Sequence, residues 1–150
     1  MPEIKNAADF IAGRFEASGL KPLAGNDTFF AYYPLKLKIN NDTVLIYGIN
    51  VIGALTGMVS PDTSVIFCAH YDHVGVKRSG YKFNDSIYNG ANDNASGVAL
   101  LIELAKYYAA LKTNRYTLVF IAFSGEELGL LGSEHTAKNI DQWYQCNWSA

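Results

Sequence analysis

Covalent cross-linking has almost no material to work with in this sequence. Its two cysteines, Cys68 and Cys146, are too few for a disulfide framework. Cys68 falls inside an apolar run and is expected to be a small core residue. Long apolar stretches are lacking too: none reaches the roughly 18–20 residues that a bilayer-spanning helix needs. There is little excess of charge, with 12 Lys and Arg against 14 Asp and Glu and a formal net charge of −2. That balance gives no reason to expect nucleic acid or an anionic membrane as a partner. The opening Met1-Pro-Glu-Ile-Lys-Asn6 lacks the charged-then-apolar pattern of a secretion signal. No internal repeat or low-complexity tract occurs. What remains is a chain of 150 residues, 49% hydrophobic and 17% charged, which suits one globular domain able to bury a sizeable core.

Residues 3–18 read as an amphipathic helix, with Ile4, Ala7, Ala8, Ile11, Phe15 and Ala17 near helical spacing and Gly19 as its stop. A loop over 21–28 is followed by a strand over 29–39, in which Pro34 suggests an edge or a bulge. Asn40-Asn41-Asp42 is expected to turn into one bent strand or two short ones over 44–55. Ser60-Pro61-Asp62 is expected to turn again, before a short strand over 64–69. The polar segment 75–90 has the length of a functional loop. Ser96 then opens a helix with Val98, Leu101, Ile102, Ala105 and Tyr108 on one face, and Glu103 paired with Lys106. The run Tyr116–Phe123 is a buried strand, and 128–138 turns helical. This alternation predicts an α/β sandwich with a largely parallel sheet. In such sheets, sites form beyond the carboxyl ends of the strands.

Three segments carry chemistry. Ser124-Gly125-Glu126-Glu127 follows the last strand and places two carboxylates at its mouth. One can hold a metal while its neighbour handles a proton. His70 and Asp72 follow the strand 64–69, and their i, i+2 spacing lets Asp72 buttress the imidazole. His73 is read as a loop residue. Asp93 lies in Asn92-Asp93-Asn94, just before the helix at Ser96, where a carboxylate could bridge two metal ions. Each signal has an ordinary structural explanation as well: a core histidine, a helix cap, and an acidic first turn. Taken together they bring one imidazole and several carboxylates to one sheet edge. That donor mix suits zinc, with cobalt or manganese as substitutes.

As a set, Ala69-His-Tyr-Asp-His-Val-Gly75, Gly90-Ala-Asn-Asp-Asn-Ala-Ser-Gly97 and Phe123-Ser-Gly-Glu-Glu-Leu-Gly-Leu-Leu-Gly-Ser133 resemble the three core motifs of the di-zinc aminopeptidase family typified by bacterial leucyl aminopeptidase. The resemblance covers roughly residues 43–140 and implies a three-layer sandwich around a mixed, largely parallel sheet. It implies that His70 ligates one zinc, that Asp93 bridges both, and that Glu127 ligates the other. Glu126 would be the general base and Asp72 would steady His70. The peptide bond after Asp93 is typically cis in the family. The substrates implied are peptides with a free N-terminus, and the compartment secreted or periplasmic. A relative with the same fold, a single-zinc glutaminyl cyclase, is the second enzymatic reading, and a non-catalytic relative the third.

The family also uses a further acidic ligand and a second histidine, both later than Glu127, which residues up to Ala150 do not supply. His135, within the helix after the site, is a poor substitute. Residues 1–150 are therefore expected to form a partial peptidase domain, truncated at the C-terminus, with an atypical tail over 142–150. That tail lacks strand alternation, and a frameshift near position 142 would account for it. An incomplete sheet of this kind is expected to leave an unpaired edge and to favour self-association.

Overall fold

A computed structural model describes residues 2–23, 26–39, 42–76 and 86–145. Helix α1 (Pro2–Ala17) buries Ala8, Ile11, Ala12 and Phe15, the i, i+3, i+4, i+7 stripe of its amphipathic pattern. Gly19, at φ 87°, turns the chain away from the helix. The strand β1 (Lys21–Pro22) is only two residues long. Strands β2 (Phe30–Ile39) and β3 (Asp42–Leu55) then form a long antiparallel pair, running from Phe30 opposite Val51 to Ile39 opposite Asp42. Pro34 is tolerated because β2 pairs with β3 alone among the described residues. The segment 44–55 belongs to one strand, not two.

Strand β4 is longer than its apolar run suggests and covers Ser60–His70. The turn expected at Ser60-Pro61-Asp62 is instead its first part. Ser60 pairs with Tyr116, the register shifts, and regular parallel pairing resumes at Ser64 opposite Thr117. Helix α2 (Ser96–Leu111), strand β5 (Tyr116–Phe123) and helix α3 (Leu131–Gln145) complete the chain. The sheet is mixed, in the order β1-β3-β5-β4 with β2 also on β3. Its parallel pairing is β4 with β5, while β3 runs antiparallel to β1, β2 and β5.

Alternation along β3 and β5 sorts the two faces. Ile49, Val51, Leu118, Phe120 and Ala122 face α1 and α2, with Leu101 and Ala105 of α2 buried among them. Phe67 stacks on Phe120 with ring centroids 5.3 Å apart, and Phe15 meets it at a tilt, 6.3 Å away. Asn50, Ile52, Val119 and Ile121 point the other way. On that side α3 covers β2 and β3, where Asn50 Nδ2 donates to the Gly132 carbonyl and to Thr136 Oγ1. The result is a three-layer α/β sandwich.

Cys68 is exposed, not a core residue. Strand β4 has β5 as its one neighbour among the described residues, and α3 packs over β2 and β3, on the other side of β5 from it. The apolar run around Cys68 therefore reports a strand without reporting burial. Asn40 and Asn41 of the expected turn, Tyr81 and Phe83 of the loop, and Cys146 lie outside the described residues. Of the tail expected to be atypical, residues 142–145 continue α3.

Candidate metal centre

Parallel neighbours end at the same sheet edge, and this places the site. His70 closes β4 opposite Phe123, the last residue of β5, so the chain after each strand emerges at one end of the sheet. Tyr71 ties the two exits together, its N–H donating to the Phe123 carbonyl at 2.9 Å. Its phenol donates to the Ile49 carbonyl at 2.6 Å, and burial pushes its pKa well above the ordinary tyrosine value, so it stays a donor.

Asp72 reaches across to the second exit. One carboxylate oxygen accepts the Glu126 N–H at 3.1 Å and the other the Glu127 N–H at 3.3 Å. The first of these oxygens also lies 3.7 Å from His70 Nδ1. That nitrogen is 3.2 Å from the Asp72 carbonyl oxygen. Both neighbours only accept, so a proton on Nδ1 satisfies them and would leave Nε2 as the ring nitrogen for a metal. Nε2 in turn faces Asp93 Oδ1 at 2.9 Å and Glu126 Oε2 at 3.9 Å.

The third segment enters through one wide turn, Ala91–Ala95, in which Asp93 and Asn94 depart from helical geometry. The Asp93–Asn94 peptide bond is cis. Capping of α2 falls to Asn94, whose Oδ1 accepts the Gly97 N–H at 3.0 Å. Asp93 is thereby released from the helix end and meets His70. Its side chain is 65% exposed, against 11% for that of His70. The imidazole is fixed, and the carboxylate lies open to an incoming ion.

Below the turn that carries the glutamates is a buried polar network. The Ser124 N–H donates to Asn50 Oδ1 at 3.1 Å, and Ser124 Oγ accepts the Ile49 N–H at 3.0 Å. Tyr33 donates its phenol proton to the Ser124 carbonyl at 2.6 Å. His135 stacks on the Tyr33 ring at 5.3 Å, which puts it beneath the turn. Gly125 holds φ at 72°, and a Cβ there would meet the Tyr33 hydroxyl at 2.7 Å.

All five residues singled out in the sequence, His70, Asp72, Asp93, Glu126 and Glu127, thus converge on one end of the sheet. The structure adds His73, which the sequence reading left in a loop. His73 Nδ1 lies 2.6 Å from Glu127 Oε1, and one ligand atom from each of His73, Asp93 and Glu127 falls within 4.8 Å of the others. Its signal was present in the doubled histidine of His70-Tyr-Asp-His73, but its partner is 54 residues away. The four carboxylates gathered here repel one another, and a cation among them would relieve that repulsion. The mixed nitrogen and oxygen donors fit zinc or a similar divalent ion.

Residues 50–148 match Peptidase family M28. A probable zinc metalloprotease of Pyrenophora teres f. teres (strain 0-1) is 38% identical over 97 residues, which cover 63% of this chain and 20% of that protein. The chain spans about a fifth of the length of such curated relatives. Among solved structures, an aminopeptidase from Aneurinibacillus sp. strain AM-1 is 31% identical with a TM-score of 0.52, covering 65% of this chain and 22% of that one. The glutaminyl cyclase of Fimbriiglobus ruber shares the fold at a TM-score of 0.71 and 21% identity, covering 95% of this chain and 49% of the other.

Proposed function

Because the chain belongs to Peptidase family M28, we propose that it carries the catalytic end of a zinc-dependent aminopeptidase that releases N-terminal residues from peptides. The convergence of His70, Asp93, Glu126 and Glu127 beyond the carboxyl ends of β4 and β5 is the observation that carries this reading. In it, His70 Nε2 and Glu127 would each hold a zinc ion, and Asp93 would be shared between the two. Bound there, zinc supplies Lewis-acid polarisation of the scissile carbonyl, a lowered pKa for the attacking water, and an anchor for a free α-amine. The anchor favours removal of terminal residues over internal cleavage.

Glu126 is the base in this reading. Its side chain is 36% exposed and faces the same space as His70 Nε2, so it can reach both solvent and the ligand cluster. It takes a proton from the attacking water and returns it to the leaving amine. Asp72 holds the imidazole and the glutamate turn in register, a positioning role. The Aneurinibacillus aminopeptidase supports the choice of reaction, since its identity to this chain is higher than that of the glutaminyl cyclases.

The test pairs zinc content with turnover of peptides that have a free N-terminus. The expected result is zinc uptake and release of free amino acids. Glu126→Gln should keep its zinc and lose at least ~100-fold in turnover. A fully active Glu126→Gln would remove the base from the scheme. Pyroglutamate formed from N-terminal glutamine, with no amino acid released, would move the reading to cyclisation.

A further inference from the structure

We propose that His73 is a positioning residue for the metal site, holding the Glu127 carboxylate by a hydrogen bond so that its second oxygen is presented to the ion. The inference rests on the zinc reading above and adds a residue to which that reading gives no role. A carboxylate only accepts hydrogen bonds, so the 2.6 Å contact from His73 Nδ1 to Glu127 Oε1 places the proton on Nδ1. Oε1 is thereby occupied and Oε2 is free.

The His73 ring is itself held. It meets Tyr88 edge to face at 6.1 Å, and a Cβ on Gly90 would come within 3.0 Å of it, so the chain passes close against the imidazole. Its side chain is 23% exposed and that of Glu127 22%. At this burial the bond competes weakly with water, and it limits Glu127 to few orientations. The three residues after β4 thus divide the work of fixing the glutamate turn. Tyr71 binds the end of β5, Asp72 takes the two backbone N–H groups of the turn, and His73 takes the side chain. Carboxylate ligands are ordinarily supported by hydrogen bonds of this kind, and loss of such support typically weakens a metal site about 10- to 100-fold.

Cobalt(II) is the probe, titrated into the 150-residue chain and followed by its visible absorption and by paramagnetically shifted imidazole N–H resonances. His73→Ala should weaken cobalt binding by about 10- to 100-fold. His73→Asn, whose side-chain amide can put a donor where Nδ1 stands, should recover most of that loss. It should also leave the number of shifted imidazole resonances unchanged. Unaltered cobalt affinity in His73→Ala would overturn the proposal. Loss of one shifted resonance in His73→Asn would overturn it too, by showing His73 to be a ligand itself. A wild-type chain that takes up no cobalt would overturn the reading that residues 1–150 hold the metal, and this proposal with it, whereas equal cobalt affinity in wild type and His73→Ala overturns this proposal alone.

Discussion

At the scale of single residues, Asp72 has the largest share in the geometry of the site. Its two oxygens accept from Glu126 and Glu127 while one of them faces His70. Asparagine has nearly the same shape but one acceptor oxygen, so Asp72→Asn leaves one turn N–H without its partner in a poorly solvated position. That change should cost about 1–3 kcal/mol of stability. The urea midpoint measured with a strong chelator present checks it, because metal binding then makes no contribution; an unchanged midpoint would mean the turn holds its own shape. Proximity to His70 was legible in the sequence because i and i+2 share a side of an extended chain. The hold on the glutamate turn was not, since it joins residues 54 and 55 positions apart. The same reason hid His73, Tyr33 and Asn50. Their partners lie 54, 91 and 74 positions away, and no local pattern encodes a contact of that range. His70, Asp93 and the glutamate pair were readable because each sits where a strand ends or a helix begins, and because three such segments together form a family signature.

Among the elements, the start of α3 fits tightly against the Ser124 turn. A Cβ on Gly132 would stand 2.2 Å from the Ser124 carbonyl oxygen and 2.5 Å from Asn50 Oδ1. Neither atom can retreat cheaply, because Ser124 is bonded to Tyr33, and Asn50 to both Ser124 and Thr136. Gly132→Ala should therefore push α3 off the sheet or distort the turn, with a loss of about 1–3 kcal/mol typical of overpacking. Thermal melting measures the loss, and a weakened cobalt site in the same variant would locate the distortion at the glutamates. A variant as stable as the parent, with its metal affinity intact, would show that the helix can shift without disturbing them. Strands β2, β3 and β5 were legible from their apolar runs, and Tyr116–Phe123 agrees at both ends, whereas β1 falls at the start of the loop expected over 21–28. Strand β4 was not, since Ser60-Pro61-Asp62 has the composition of a turn. It becomes the first part of a strand because Ser60 pairs with Tyr116 and Thr117 Oγ1 donates to the Pro61 carbonyl at 2.8 Å. Tertiary pairing there overrides local propensity.

For the whole molecule, the exposed side of β4 sets the expected behaviour in solution. The strand pairs with β5 alone among the described residues, and Ile66, 40% exposed, shares a face with the exposed Cys68. An unpaired, apolar edge is a template for pairing with another chain. The 150-residue chain should accordingly self-associate, with an apparent mass by light scattering that rises with concentration. A lysine on this face introduces a charge that pairing would have to desolvate, so Ile66→Lys should hold the chain monomeric at concentrations where the parent associates. Cys68 reports on the same surface: in a Cys146→Ser background its thiol should react readily with a maleimide at low concentration and more slowly as the chain associates. A parent that scatters as a monomer throughout, with Cys68 equally reactive at every concentration, would show that the edge attracts no partner. Loss of association in Ile66→Lys alone, with folding and cobalt binding retained, would locate the contact on β4 and separate it from the metal centre at the end of the same strand.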